Sequence, residues 1–327
     1  MQQAAELHKT PVVRTRPEFQ FGTLTIILLT GVLFLFLGLT SATFFSYRNI
    51  YTIFYGVSIE YFAIVGFTLL LIMGEVDLSV GSVYGFSGAL MGALMLNKMP
   101  LYPALLLTIF CSLAFGLLTG FLVTRFSLNS MMVTIGMMAL VRGLSWVLIR
   151  MLFGRTFPRN YRALARDKIG TINTTIIVMI VLVVVLEICL HRSTFFKKMY
   201  YVGENLKTAK LYGIKAETIK MLIFACSSLT AALGGILASS RITHADVTTG
   251  DGLEFKVLTA AILGGASLFG GKGSILSSVV GLIFLATILN GMIIFNIEPL
   301  LQQLVVGVIL IVSVFIDTRL NRSKLGS

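Results

Sequence analysis

Residues 19–47 contain no charged side chain. A helix rises about 1.5 Å per residue, so roughly 20 apolar residues cross a ~30 Å hydrocarbon core. An uninterrupted run of this length suits lipid better than water. The pattern recurs along the chain. A first span at 21–39 is followed by apolar runs at 50–73, 78–96, 101–123, 131–149, 172–190, 221–239, 255–270, 274–295 and 300–316. The whole sequence is 56% hydrophobic and 12% charged, against about 25% charged for a soluble domain. That is too little polar surface for a soluble or disordered protein. The fold class is therefore all-α: a polytopic membrane protein with about ten transmembrane helices. The first 20 residues are polar and no small-residue cleavage site follows, which predicts an uncleaved first helix rather than a secretory signal. The expected organisation is a tail at 1–20, a membrane domain at 21–317 with a polar loop near 191–217, and a tail at 318–327.

The formal net charge of +12 is unevenly spread. Residues 150–168 hold six basic residues and one acid, and residues 192–220 hold seven basic residues and two acids. Their aromatic residues do not interleave with the charges in an RNA-binding pattern, which argues against nucleic acid as a partner and leaves membrane topology or protein docking. Ten spans put both termini on one side. The positive-inside rule makes that side cytoplasmic through Lys9, Arg14, Arg16, Arg125, Lys272, Arg319, Arg322 and Lys324, together with the 192–220 loop. The 150–168 loop then falls outside and breaks the rule. Either the count slips by one near the fifth span, which Arg142 interrupts, or this loop is basic for another reason; we favour the second.

Two Gly-rich segments each join a short span to one rich in small residues. They are Gly74-Glu75-Val76-Asp77-Leu78-Ser79-Val80-Gly81-Ser82, and 264–274 with Gly264, Gly265, Gly270, Gly271 and Gly273. Paired breaks of this kind predict an internal pseudo-repeat with a pathway between the repeats. Gly and Ser are also common in membrane helices for packing reasons, a plainer source of the likeness.

Other chemistries find no constellation. Gly271-Lys272 is followed by Gly273 rather than Ser or Thr, and Ala266 stands where a phosphate loop needs its first Gly, so no ATP loop is built. His8, His191 and His244 have no metal-ligand spacing, and no serine has a partnered base nearby. Cys111, Cys189 and Cys226 read as small apolar packing residues. Neither catalytic nor metal residues are expected. Polar residues within spans are pathway candidates: Glu60, Asn290, Asn296, Gln302 and Gln303. An ionised acid is costly in hydrocarbon, so Glu60 must face protein, water or a boundary. Asp77 is a further pathway candidate, and it also stands where a carboxylate caps the third helix.

Residues 203–214 begin and end with Gly around one short predicted helix. Asn205 is placed to cap it. Leu206, Ala209 and Ile214 form a small apolar side, with Lys207 and Lys210 opposite. An amphipathic helix can lie on lipid headgroups, but this narrow face, centred on Ala209, suits a protein groove better.

In three segments the chain resembles the permease subunits of bacterial ABC importers for monosaccharides, the ribose, arabinose, xylose and galactose type. They are Asp77-Leu78-Ser79-Val80-Gly81-Ser82, then Gly203, Asn205, Ala209, Gly213 and Ile214 at their spacing, then Gly252-Leu253-Glu254 followed by 260–267 and 270–274. The resemblance extends over about 50–319. It implies that Gly203, Asn205, Leu206, Ala209, Gly213 and Ile214 form an ATPase-coupling helix. It also implies partners: ATPase subunits that bind ATP and magnesium, a periplasmic substrate-binding protein, and a second permease copy, as a homodimer or a heterodimer. The outer basic loop would then offer Arg155, Arg159, Arg162 and Arg166 to acidic patches of the binding protein. Two departures stand out: Thr208 where the family has alanine, and Glu75 where a Gly-Gly pair is usual. The alternatives are an ion-coupled secondary transporter using Glu60 and Asp77, a membrane-embedded enzyme, or a relative carrying a polyol, inositol or a furanosyl signalling molecule.

Overall fold

The computed structural model describes residues 19–320, residue 153 excepted. The tail residues Lys9, Arg14, Arg16, Arg322 and Lys324, with His8, lie outside the described residues. In chain order the long helices are α1 (Phe19–Thr40), α2 (Tyr47–Ile72), α3 (Val80–Leu96), α4 (Leu101–Arg125) and α5 (Ser130–Leu152). The short α6 (Arg159–Arg166) and a two-strand turn, β1 (Lys168–Ile169) and β2 (Ile172–Asn173), lead into α7 (Thr174–Arg192). Then come α8 (Thr194–Glu204), α9 (Leu206–Leu211), α10 (Ala216–Ile242), α11 (Leu253–Leu263), α12 (Ile275–Ile294) and α13 (Pro299–Leu320). Seven of these helices are long and apolar enough to cross a membrane. The protein is an all-α polytopic membrane protein, as its apolar runs predict.

Helix α2 is the buried centre, whereas α13 is almost wholly exposed on its own chain. Helix α10 packs against α2, α3 and α4, and α12 packs against α2, α11 and α1. The contact of α4 with α10 follows from a stripe of small residues four apart: Ala104, Thr108, Ser112, Gly116 and Gly120. A Cβ on Gly116 would stand 2.6 Å from Phe224 O of α10, so only glycine permits this approach. Lipid tails are as apolar as leucine, so such close backbone packing, rather than hydrophobic burial, holds membrane helices together.

Ends of α10 define the two ends of the bundle. Its first turn meets α9 through the Lys210–Glu217 ion pair. Its last turns meet α6, where Ser240 Oγ donates to Tyr161 O at 2.8 Å. The basic segments at 150–168 and 192–220 therefore lie at opposite ends, with α7 running between them.

One predicted span is corrected. The run 255–270 forms only α11, 11 residues long. That covers about 16 Å, half the hydrocarbon core. Gly252, with a left-handed φ of 70°, precedes the helix, and the Gly264–Gly265 pair, with φ 91° at Gly265, ends it. Apolar composition alone could not reveal these stops.

Candidate functional site

Three breaks in the helices shape the interior. The first, 73–79, joins α2 to α3 at the α9 end of the bundle. Gly74 adopts a left-handed φ of 72°, and Asp77 Oδ1 accepts from Ser79 N at 2.9 Å and from Ser79 Oγ. Ser227 Oγ of α10 donates to the other carboxylate oxygen at 3.1 Å. Asp77 thus braces Ser79, the residue that precedes α3, in a local turn; no side chain caps the free amides of α3 itself, so the expected helix cap is not formed, and Asp77 is fully buried rather than lining a cavity. The second break, 264–274, is held by two acids that sequence reading did not single out. Asp317 of α13 accepts from Ser267 Oγ and Leu268 N, each at 3.2 Å. Glu187 of α7 accepts from Ser274 Oγ at 2.9 Å and Leu276 N at 3.1 Å, at the start of α12.

These two breaks, paired by sequence as a repeat, meet in space. Gly271 N donates to Ile72 O at 2.8 Å, and Gly74 approaches Gly270. Gly203 closes the junction: a Cβ there would collide with Ile72 O and lie 2.8 Å from Gly271 N. Gly203 belongs to the last turn of α8, not to the short helix whose start it was expected to mark.

The third break, 243–252, escaped the sequence reading. It leads from the far end of α10 back toward mid-bundle, where Gly250 packs against the first turns of α3 and α11 begins. Arg142, halfway along α5, donates to Thr249 O at 3.1 Å and to Gly250 O at 2.8 Å. The residue that seemed to interrupt a span thus satisfies unwound backbone that has no water to bond. Gly81 of α3 abuts both Gly250 O and the Glu254 carboxylate, so two of the family-like segments touch.

Beside this break lies an open cavity of about 840 Å³, within the range of small-molecule sites. Glu60, Tyr84, Asp251, Glu254, Lys256, Gln302 and Gln303 supply its polar lining. Lys256 donates to Glu60 at 2.7 Å, so the intramembrane acid is compensated, as its cost demands. Among the pathway candidates the cavity brings together Glu60, Gln302 and Gln303. Asn290 and Asn296 lie elsewhere. Asn290 forms a reciprocal amide pair with Asn49, at 3.0 and 2.8 Å, fastening α12 to α2. Asn296 takes a left-handed φ of 55° in the turn before α13, where a short amide side chain is tolerated. Asp251, Glu254 and Lys256 were missed because they cluster at the start of the half-helix, where the predicted span had its edge.

At the α9 end, Asn205 Oδ1 accepts from Thr208 N at 3.0 Å, the predicted cap. Gly213 has a φ of 75°, and Ile214 N donates back to Ala209 O at 3.1 Å. The face is corrected, however. Ala209 is only 3% exposed and packs into this chain's own core, while Leu206 is 38% exposed. Leu211 and Tyr212, at 88% and 83%, are the apolar side chains that project. An apolar pair immediately ahead of the terminating Gly213 was the signal available. In α8, Tyr200 donates to Gly273 O at 2.7 Å, and burial raises its pKa, with the Glu187 charge adding to the rise.

At the other end, α6 is fixed to α10 by Tyr161, which donates to Ile236 O at 3.1 Å and shares a hydrogen bond with Ser239. Burial raises the Tyr161 pKa. Arg155, Arg159 and Arg166 are exposed and Arg162 is half-buried. Arg166 donates to Arg241 O at 3.0 Å, so it is partly engaged within the chain. Among the described residues no group of His, Cys, Asp or Glu is arranged to hold a metal ion.

Helices broken at both ends of a bundle, around a polar cavity, define a membrane transport protein rather than an enzyme. Residues 49–314 match the family described as "Branched-chain amino acid transport system / permease component", and the chain belongs to that family. It is 28% identical over 289 residues to the autoinducer 2 import system permease protein LsrC of Photorhabdus luminescens, covering 88% of this chain and 87% of the relative. It is 27% identical over 290 residues to the ribose import permease protein RbsC of Bacillus subtilis, covering 88% and 90%. LsrC of Yersinia pseudotuberculosis strain YPIII is 27% identical over 300 residues, covering 92% and 85%. No solved structure matches the chain. The resemblance read from the three segments is borne out.

Proposed function

We propose that the chain is the membrane-spanning subunit of an ATP-binding-cassette importer in a bacterial inner membrane. It carries a monosaccharide or related small polyhydroxylated solute; the relatives named for ribose and autoinducer 2 import support that class. The observation that carries the reading is the junction at Ile72. There the α8–α9 segment touches both Gly-rich breaks, so a push on α9 reaches the helices around the cavity. In this reading α9 faces the cytoplasm, as do both termini. Separate ATPase subunits bind ATP and magnesium, and this chain holds no cofactor. Leu211 and Tyr212 enter a groove on the ATPase, while Asn205, Gly213 and Ile214 fix the angle at which they project. A periplasmic binding protein docks on α6 and its arginines, where exposed charge pairs steer encounter more than they add affinity.

The cavity is open on one side, and its ionic lining would be costly against lipid. A second permease copy therefore covers it, with α13 nearest the shared axis, and Glu60, Lys256, Gln302 and Gln303 offer donors and acceptors to solute hydroxyls. Asp77 takes no part as a carrier, since three hydrogen bonds already engage its carboxylate. ATP-driven approach of the two ATPases would tilt the α9 segments and switch the cavity between faces. Co-purification tests the assignment. The wild-type chain retains an ATPase whose turnover rises with the loaded binding protein, and the Leu211→Asp, Tyr212→Asp double variant inserts normally but loses it. Proton-driven uptake by the wild-type chain alone would overturn the assignment.

A further inference from the structure

Glu75, the acid where the resemblance leads one to expect glycine, lies between two helices and is only 8% exposed. Its carboxylate is engaged by Lys220 of α10 in a half-buried ion pair. Three residues earlier on the same helix, Glu217 pairs with Lys210 of α9. Residues three apart on a helix are neighbours. Lys210, Glu217, Lys220 and Glu75 line one small cavity of about 200 Å³. Charges therefore alternate in sign from the docking helix to the first break, as two ion pairs whose inner members, Glu217 and Lys220, interact electrostatically along α10.

We infer that this four-residue train is a positioning device that ties movement of α9 to movement of the α3 head, with Glu75 and Lys220 as its decisive members. Both acids of the break are engaged by α10, while α5 holds the backbone between them: Thr134 Oγ1 donates to Val76 O at 3.3 Å and Val76 N donates to Ser130 Oγ at 3.5 Å. Lys220 holds Glu75, and Ser227, two turns further along α10, holds Asp77. Asp77 in turn holds Ser79, the residue from which α3 starts. A shift of the first turns of α10 therefore pulls on both acids of the break. The two pairs differ in character. Lys210–Glu217 is about half exposed on both sides, so it is screened by salt and exchanges readily. Glu75–Lys220 is enclosed, and losing either partner would strand a buried charge. The outer pair can thus slip and re-form as α9 tilts, while the inner pair keeps α10 and the break together. The glycine junction at Ile72 supplies contact between the same segments; the charge train supplies their direction of travel.

The inference rests on the importer reading, and its test separates the two. The complete transporter, with its ATPase, binding protein and ribose as solute, is reconstituted in proteoliposomes. Solute molecules moved per ATP hydrolysed are then compared for Glu75→Gln, Lys220→Met and the exchanged pair Glu75→Lys with Lys220→Glu. Each single variant should keep the ATPase bound yet lower the transport ratio at least five-fold, and the exchanged pair should recover more than half of it. An unchanged ratio in the single variants overturns the inference, as does an exchanged pair no better than they are. Loss of the ATPase from the single variants would make the pair a scaffold and overturn it too. A wild-type chain that binds no ATPase would instead refute the importer reading itself.

Discussion

Gly203 offers the sharpest test of the junction. In an ordinary helix, glycine to alanine gains about 0.5–1 kcal/mol. At Gly203 the added Cβ meets backbone, the Ile72 carbonyl, which cannot rotate away. Overpacking of this kind costs about 1–3 kcal/mol. Displacing Ile72 O also weakens its hydrogen bond from Gly271 N, about 1 kcal/mol more. After the propensity gain, Gly203→Ala should destabilise by ~1–3 kcal/mol. Gly136→Ala and Gly143→Ala in α5 are the controls: nothing lies within 4 Å of either Cβ, so they should be neutral or slightly stabilising. Unfolding in mixed detergent can be followed through Trp146, the single tryptophan. The sign is what matters. If Gly203→Ala is as stable as the α5 variants and transports at the wild-type rate, α8 does not bear on the breaks and the junction is only proximity.

Arg142→Leu should cost about 3 kcal/mol, because it strands two carbonyls at mid-bundle. Hydrogen exchange at 246–252 should rise at least ten-fold, and unchanged exchange would mean that the break is held by something else. For the amide pair, Asn290→Leu should cost about 1 kcal/mol, and adding Asn49→Leu should restore most of it, since removing both partners leaves less unsatisfied. Simple additivity in that cycle would count against the pairing. Tyr161→Phe should loosen α6 by about 1–2 kcal/mol and increase proteolysis within 155–168, with the remainder of the chain unaffected.

The order of the apolar helices was legible because hydrocarbon imposes a length on apolar runs, and nearly every boundary fell within a few residues of a helix end. The half-helix was not, because a re-entrant segment is as apolar as a crossing one and differs only in the glycines that stop it. The cap at Asn205 was legible because its partner is three residues away. The orientation of Ala209 was not, because which side of a two-turn helix faces inward depends on α8 and α10, remote in sequence. Arg142 and Glu75 teach the same lesson. Each looked anomalous within its own segment, as an interruption or as an extra acid. Each proved to be matched by a group more than one hundred positions away.

Helix α11 has a consequence for leakage. Where other walls of the cavity run the full depth of the bilayer, this one offers a seal about 16 Å thick. In the proposed importer reading, a solute resting beside Lys256 would stand at the edge of this thin seal. The same thinness leaves little to stop ions if the seal rests ajar. A permease built this way must keep its closed state tight between strokes, or the membrane potential drains through it.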